Sequence, residues 1–188
     1  MTSPVNQSNS VVIIVDVQNG VVADAYRRDD VVATIGRLVD KARAARIPVL
    51  WIQDVGEGRA HGTESWQVVP ELAPADDELR VDKSYGDCFE DTELEMLLTQ
   101  LEVSRLYIAG AQTDACIRST LHGSLVRGYD TVLVADAHTT EDLSEWGAPA
   151  TEAVIRHTNL YWQHTTAPGR IAAVIPTDDI EFATQPAR

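Results

Sequence analysis

Cysteine is scarce, with only Cys88 and Cys116 among 188 residues. Two thiols cannot build a disulfide framework, and no Cys-x-x-Cys pair is available for a structural zinc site. Basic residues are also few, 15 Lys and Arg against 29 Asp and Glu, for a formal net charge of −14. Phosphate backbones and anionic lipid surfaces repel such a chain at long range, so neither nucleic acid nor a membrane is expected as a partner. No apolar run is long enough to span a bilayer: VVIIVDV at 11–17 is the length of a strand. The preceding MTSPVNQSNS carries no basic n-region, so no signal peptide is read and a cytoplasmic location is expected. Internal repeats, low-complexity tracts and linkers are absent as well.

What remains is 44% hydrophobic residues, enough for one well-buried core. A single domain over 1–188 is expected, with a flexible tail over 1–10. VVIIVDV is a continuous β-branched run, as in a central strand covered on both faces. Val31, Val32, Ile35, Leu38, Val39, Ala42 and Ala45 follow at helical spacing, then Pro48 stops the helix and PVLWIQD gives a second apolar run. RLYIAGA (105–111), the helical TDACIRSTLHGSLVRG and DTVLVAD (130–136) repeat the βαβ pattern, with Gly128 at a helix C-terminus. ELEMLLTQL (93–101) reads as a helix capped by Asp91-Thr92, and 148–164 reads as a last helix before the strand RIAAVIPT. Alternation of this kind predicts a parallel sheet with helices on both sides. Residues 55–83 differ: they are rich in Gly, Pro and acids without a sustained period, as in a functional loop or lid.

Ligands of open parallel sheets gather beyond the carboxyl ends of the strands. Three reactive side chains fall there: Asp16 after the first strand, Lys83 after LRVD, and Cys116 after the strand ending at Ala111. Taken singly, each also fits a plain role: a turn cap, a solvated amine, a small core residue. Together they solve one chemical problem. A thiol has a pKa of about 8.5 and becomes a thiolate more readily at a helix N-terminus and beside an ammonium. Asp16 can take the thiol proton and later hand it to a leaving amine, while Lys83 holds the carboxylate and favours both anions. Backbone N–H groups of the turn then face a developing oxyanion.

IVDVQNG, DKSYGDCFEDTEL and above all AGAQTDACIRSTLHGSLVRGYDTVLVADAHTT resemble the isochorismatase-like cysteine hydrolase superfamily, which includes nicotinamidases, N-carbamoylsarcosine amidases, ureidoacrylate hydrolases and isochorismatases. The resemblance runs from Val11 to Thr140 in order and spacing, and more weakly to the last strand. It implies a three-layer α-β-α fold on a six-stranded, mostly parallel sheet. It places Asp16 and Gln18 in a D-x-Q turn, Lys83 and Phe89 in a K-x-x-x-x-x-F arrangement, and Gly110, Thr113 and Cys116 in a G-x-x-T-x-x-C turn. It further implies catalysis by Asp16, Lys83 and Cys116, a non-proline cis peptide at Ala111-Gln112, an oxyanion hole from the N–H groups of Gln112 and Cys116, and self-association as dimers or larger rings. Gln18, Trp66, Tyr85 and Phe89 are the expected substrate-binding residues. Trp66 lies in GTESWQVVPEL, which is similar to the covering loop of metal-free members, and it equally suits a loop anchor.

The metal-binding members carry Asp-x-His followed by further histidines. Here Asp54-Val55-Gly56 puts glycine at the first histidine, and only His61 remains in the loop. One His and one Asp do not make a metal site, so neither a metal nor any other cofactor is expected. Cys88, His122 and His138 read as structural. Members acting on the enol ether of isochorismate lack the cysteine, so Cys116 favours hydrolysis of a small amide, ureido or lactam C–N bond through a thioester. The acidic balance leaves room for a cationic amide or lactam, an amide antibiotic included. A catalytically silent ligand-binding protein or a thiol redox sensor on the same fold is the alternative reading.

Overall fold

The structure, a computed structural model, describes residues 9–182. In chain order it contains β1 (Ser10–Val15), α1 (Asn19–Val22), α2 (Arg28–Ala44), β2 (Val49–Asp54), β3 (Leu79–Lys83), α3 (Leu94–Gln100), β4 (Arg105–Ala111), a π-helical turn (Thr113–Ile117), α4 (Arg118–Val126), β5 (Asp130–Thr139), α5 (Thr151–Gln163) and β6 (Ala172–Ile175). The strands form one parallel sheet in the order β3-β2-β1-β4-β5-β6. The expected tail over 1–10 falls outside the described residues up to residue 8, and Ser10 already belongs to β1.

Helices on both sides explain why the central strands read as unbroken apolar runs. Successive residues of a strand point to opposite faces, and here both faces are dry. Val12 and Ile14 of β1 join Trp51 of β2 and Tyr107 of β4 under Ile35, Leu38 and Val39 of α2. Val11, Ile13 and Val15 face the other way, with Leu94 and Leu98 of α3, Leu121 and Leu125 of α4, and Trp162 of α5. Each such side chain contributes about 1.5–3 kcal/mol by leaving water. Among the described residues no helix is long and apolar enough to cross a membrane.

The chain runs from β1 outward through β2 to β3, then returns to lay β4 against the opposite side of β1. Connections after β1 and β4 therefore diverge, and the crevice between them is where a sheet of this topology takes its ligand. The close approach of those two strands requires Gly110. Its φ is +122°, and a Cβ there would fall on the Val15 carbonyl.

Four details depart from the sequence reading. Cys116 lies in a π-helical turn, with α4 starting only at Arg118. Strand β5 continues past Asp136 to Thr139, after a register shift opposite Ile108 and Gly110, and so carries His138 inside the fold. The segment after β2 is fastened along its length. Its backbone bonds to the turn after β1 through Gly20 N–H to Ser65 O, Asn19 N–H to Gln67 O and Val69 N–H to Val17 O. The cap of α3 comes from Thr92 alone, whose Oγ1 accepts the Leu94 N–H at 3.3 Å.

Gly110→Ala is expected to lower the unfolding free energy by at least about 2 kcal/mol, because the strand pair must move apart to admit a methyl group. Urea denaturation followed by circular dichroism measures it.

Candidate active site

Asp16 follows β1 with φ of +53°, a left-handed conformation in which Asp is among the commoner non-glycine residues. Lys83 is the last residue of β3 and is fully buried. Its cross-strand neighbour at the end of β2 is Asp54. An ammonium has three protons to donate, and Lys83 Nζ meets three acceptors: Asp16 Oδ2 at 2.8 Å, Asp54 Oδ2 at 3.3 Å and Cys116 Sγ at 3.3 Å. Asp54 is held in turn by its other oxygen, which accepts from Arg59 Nη2 at 2.7 Å, Arg59 Nε at 2.9 Å and the Gly56 N–H at 2.8 Å. Asp16 Oδ1 is buried and has no hydrogen-bond partner. The three residues that sequence alone marked as reactive thus meet at one point, beside a cavity of about 180 Å3.

Protonation follows from this packing. Burial pushes the Asp16 carboxyl up to about 6, against the pull of the Lys83 ammonium. Burial also lifts the Cys116 thiol, as does the charge of Asp16, to about 11. Lys83 would be lowered by burial, but the charges of Asp16 and Cys116 outweigh that and hold its ammonium above the ordinary value. For Asp54, burial is overcome by the hydrogen bonds from Arg59 and Gly56 and by Lys83, leaving its carboxyl below the usual range. Near neutral pH the site therefore holds a thiol, two carboxylates and an ammonium. The helix-end activation of the thiol expected from sequence does not prevail, because desolvation is the larger effect.

Residues 10–158 match the family model described as isochorismatase domain. The chain belongs to the isochorismatase family. It is 36% identical over 137 residues to a streptothricin hydrolase of Streptomyces noursei, an alignment covering 70% of this chain and 54% of that protein. With an N-carbamoylsarcosine amidase of an Arthrobacter species it shares 25% identity, over 56% of this chain and 48% of that one. The chain thus spans about half the length of these two curated relatives. An isochorismatase structure from Pseudomonas putida KT2440 superposes with a TM-score of 0.83 at 24% identity, covering 96% and 94% of the two chains, which shows the shared fold.

Within this family member the cis peptide falls at Ala111-Gln112, where the resemblance implied it. The four expected substrate-binding side chains do not line the cavity. Gln18 is buried as a clamp: its amide accepts the Asp54 N–H at 2.7 Å and donates to the carbonyls of Asp54 and Trp66. Trp66 packs at a tilt against His61 and donates to Asp82, so its indole anchors the loop to β3. Tyr85 is 56% exposed, and Phe89 is buried under the Arg127 guanidinium and beside Tyr129. The walls are instead made by Gly20, Val21, Ala23 and Asp24 from the turn around α1, and by Arg59, Gln112 and Glu141. Sequence reasoning missed Arg59, Asp24 and Glu141, and weighed Asp54 only as a metal ligand. No group of three His, Cys, Asp or Glu side chains able to hold a metal ion occurs among the described residues. One Asp54 oxygen is committed to Arg59 and Gly56, and His61 faces Trp66 and Asp82, so these residues do not fit the metal of other members.

The turn bearing Cys116 has a second support. Asn159 Nδ2 donates to Ala135 O, leaving its Oδ1 to accept from His138 Nε2 at 3.0 Å, while His138 Nδ1 accepts the Thr113 hydroxyl proton at 2.9 Å. Burial lowers His138 to about 4, so the ring is neutral and its tautomer fixed. A histidine that is easier to protonate when unfolded costs stability as the pH falls below about 6.5. The stability advantage of the native protein over His138→Gln should therefore shrink between pH 7 and pH 4, by up to ~3 kcal/mol, in urea titrations at stepped pH.

Proposed function

We propose that this isochorismatase-family chain is a cysteine-dependent hydrolase of a small amide-type C–N bond, in an amide, ureido compound or lactam. The observation that carries the reading is the single ammonium of Lys83 in contact with both the Asp16 carboxylate and the Cys116 sulfur at the edge of a cavity. A cavity of about 180 Å3 suits a substrate smaller than drug-sized ligands, whose pockets run to roughly 300–1,000 Å3. Relatives that hydrolyse streptothricin or N-carbamoylsarcosine, by their names, support the bond class.

In the reaction, Asp16 removes the Cys116 proton as sulfur bonds to the substrate carbonyl carbon. Backbone N–H groups of Gln112 and Cys116 take the oxyanion. Asp16 then passes the proton to the departing nitrogen, the C–N bond breaks, and a thioester remains. Water adds to the thioester with Asp16 again as base, and the acid and free thiol are released. As Asp16 takes the proton, the negative charge passes from its carboxylate through sulfur to the substrate oxygen, and the Lys83 ammonium in contact with Asp16 and Cys116 faces that charge as it moves. Asp54 and Arg59 are positioning residues that fix Lys83.

A raised thiol pKa favours this concerted route and disfavours a redox sensor, whose cysteine needs thiolate character. Screening small amides, ureido acids and lactams for ammonia or amine release gives the assay. With a substrate found, kcat/KM is expected to climb with pH through about 6, as Asp16 loses its proton, and then to stay level to pH 9. A rate that instead keeps climbing through pH 9 toward about 11 would mean that a free thiolate attacks. Cys116→Ala should abolish turnover and Asp16→Asn should lower it by roughly 10²–10⁴. Full activity in Cys116→Ala would refute the assignment.

A further inference from the structure

The charges around the cavity divide into two sets. Those inside balance: Asp16 and Asp54 face Lys83 and Arg59. At the mouth stand Asp24, just beyond α1, and Glu141, just beyond β5; both are exposed and line the cavity, and neither has an ion-pair partner among the described residues. Glu141 is held in place. Its N–H donates to Gln112 Oε1 at 2.8 Å, and Gln112 Nε2 donates to Glu141 Oε1 at 3.3 Å and to Val21 O at 2.9 Å. One amide thereby ties together the turn leading to Cys116, the α1 segment and the rim carboxylate. Deeper in the same cavity, the buried Asp16 Oδ1 still lacks a donor.

We propose that the mouth selects substrates carrying a protonated amine, with Asp24 and Glu141 as the specificity-determining residues. The inference rests on the hydrolase reading and narrows its substrate class. Two uncompensated carboxylates at the entrance of a small cavity attract a cation and repel an anion, since field lines concentrate in a low-dielectric cleft. A substrate ammonium between Asp24 and Glu141 leaves its amide carbonyl directed inward, toward Cys116. Neutral amides gain nothing from the rim, and acids are turned away by it.

Alkylation of Cys116 reads this potential without knowledge of the natural substrate. The full chain is treated with iodoacetamide, which is neutral, iodoacetate, which is anionic, and 2-bromoethylamine, which is cationic, and labelling of Cys116 and Cys88 is followed separately by peptide mass spectrometry. In Asp24→Asn/Glu141→Gln, the rate ratio of iodoacetate to iodoacetamide at Cys116 should rise about 5-fold or more at low salt, and that of 2-bromoethylamine to iodoacetamide should fall comparably. Each single variant should give part of the change, and raising the salt concentration should move the native ratios toward those of the double variant. Ratios that stay within twofold in all three variants overturn the inference while leaving the hydrolase reading intact. A Cys116 that reacts no faster than Cys88 with iodoacetamide overturns the nucleophile assignment and the inference with it.

Discussion

A lysine ammonium taken out of water costs several kcal/mol unless counter-charges and acceptors replace what water supplied. Lys83 is buried, and every proton on its nitrogen has a destination: Asp16, Asp54 or Cys116. Those partners come from the ends of β1 and β2 and from the turn after β4, so this one nitrogen can be satisfied only when four strands of the sheet stand in their observed order. Removing any partner would leave a buried charge short of an acceptor. The demand for a complete shell around Lys83 therefore binds the topology of the sheet to the chemistry at its edge.

The same shell sets the protonation of its members. Desolvation raises Asp16 and Cys116 alike, but from different starting values, so the carboxyl ionises at about 6 while the thiol keeps its proton to about 11. A free thiol would be more acidic. Here its acidity is traded for adjacency: base, nucleophile and cation already touch, and little need reorganise when the proton moves. The neutral His138, bracing Thr113 from behind, adds stiffness to the π-helical turn without adding charge near it.

Much of this was legible in the letters. Apolar runs without alternation announced strands covered on both sides, and Asp16, Lys83 and Cys116 stood out because each reactive group follows a strand. The family motifs, confirmed by the match over 10–158, fixed the fold. Residues acting through register or through an irregular loop stayed hidden. Asp54 meets Lys83 because β2 and β3 pair in one particular register, and Arg59 reaches Asp54 from a loop with no period to read. Gln18, Trp66, Tyr85 and Phe89 were expected at the pocket because large or polar side chains near a motif suit a ligand, yet Gln18, Trp66 and Phe89 make their contacts with the scaffold and Tyr85 is exposed. The direction of the thiol shift also lay beyond the letters, since it depends on how far burial outweighs a neighbouring cation.

The segment between β2 and β3 is sewn by its backbone to the turn after β1, yet it delivers a guanidinium to Asp54 and forms part of the cavity wall. Side chains reinforce the main-chain stitching: Trp66 donates to Asp82, Val69 and Leu72 enter the core, and Glu78 accepts from Arg43 and Trp51. Reaction and access thus share a wall, since Arg59 both borders the cavity and holds the Asp54 carboxylate that meets Lys83. Evolution, or an engineer, can retune which molecules enter only at positions such as Asp24 and Glu141, exposed beside the cavity and outside that segment, if the bond-breaking apparatus beneath is to be inherited unchanged.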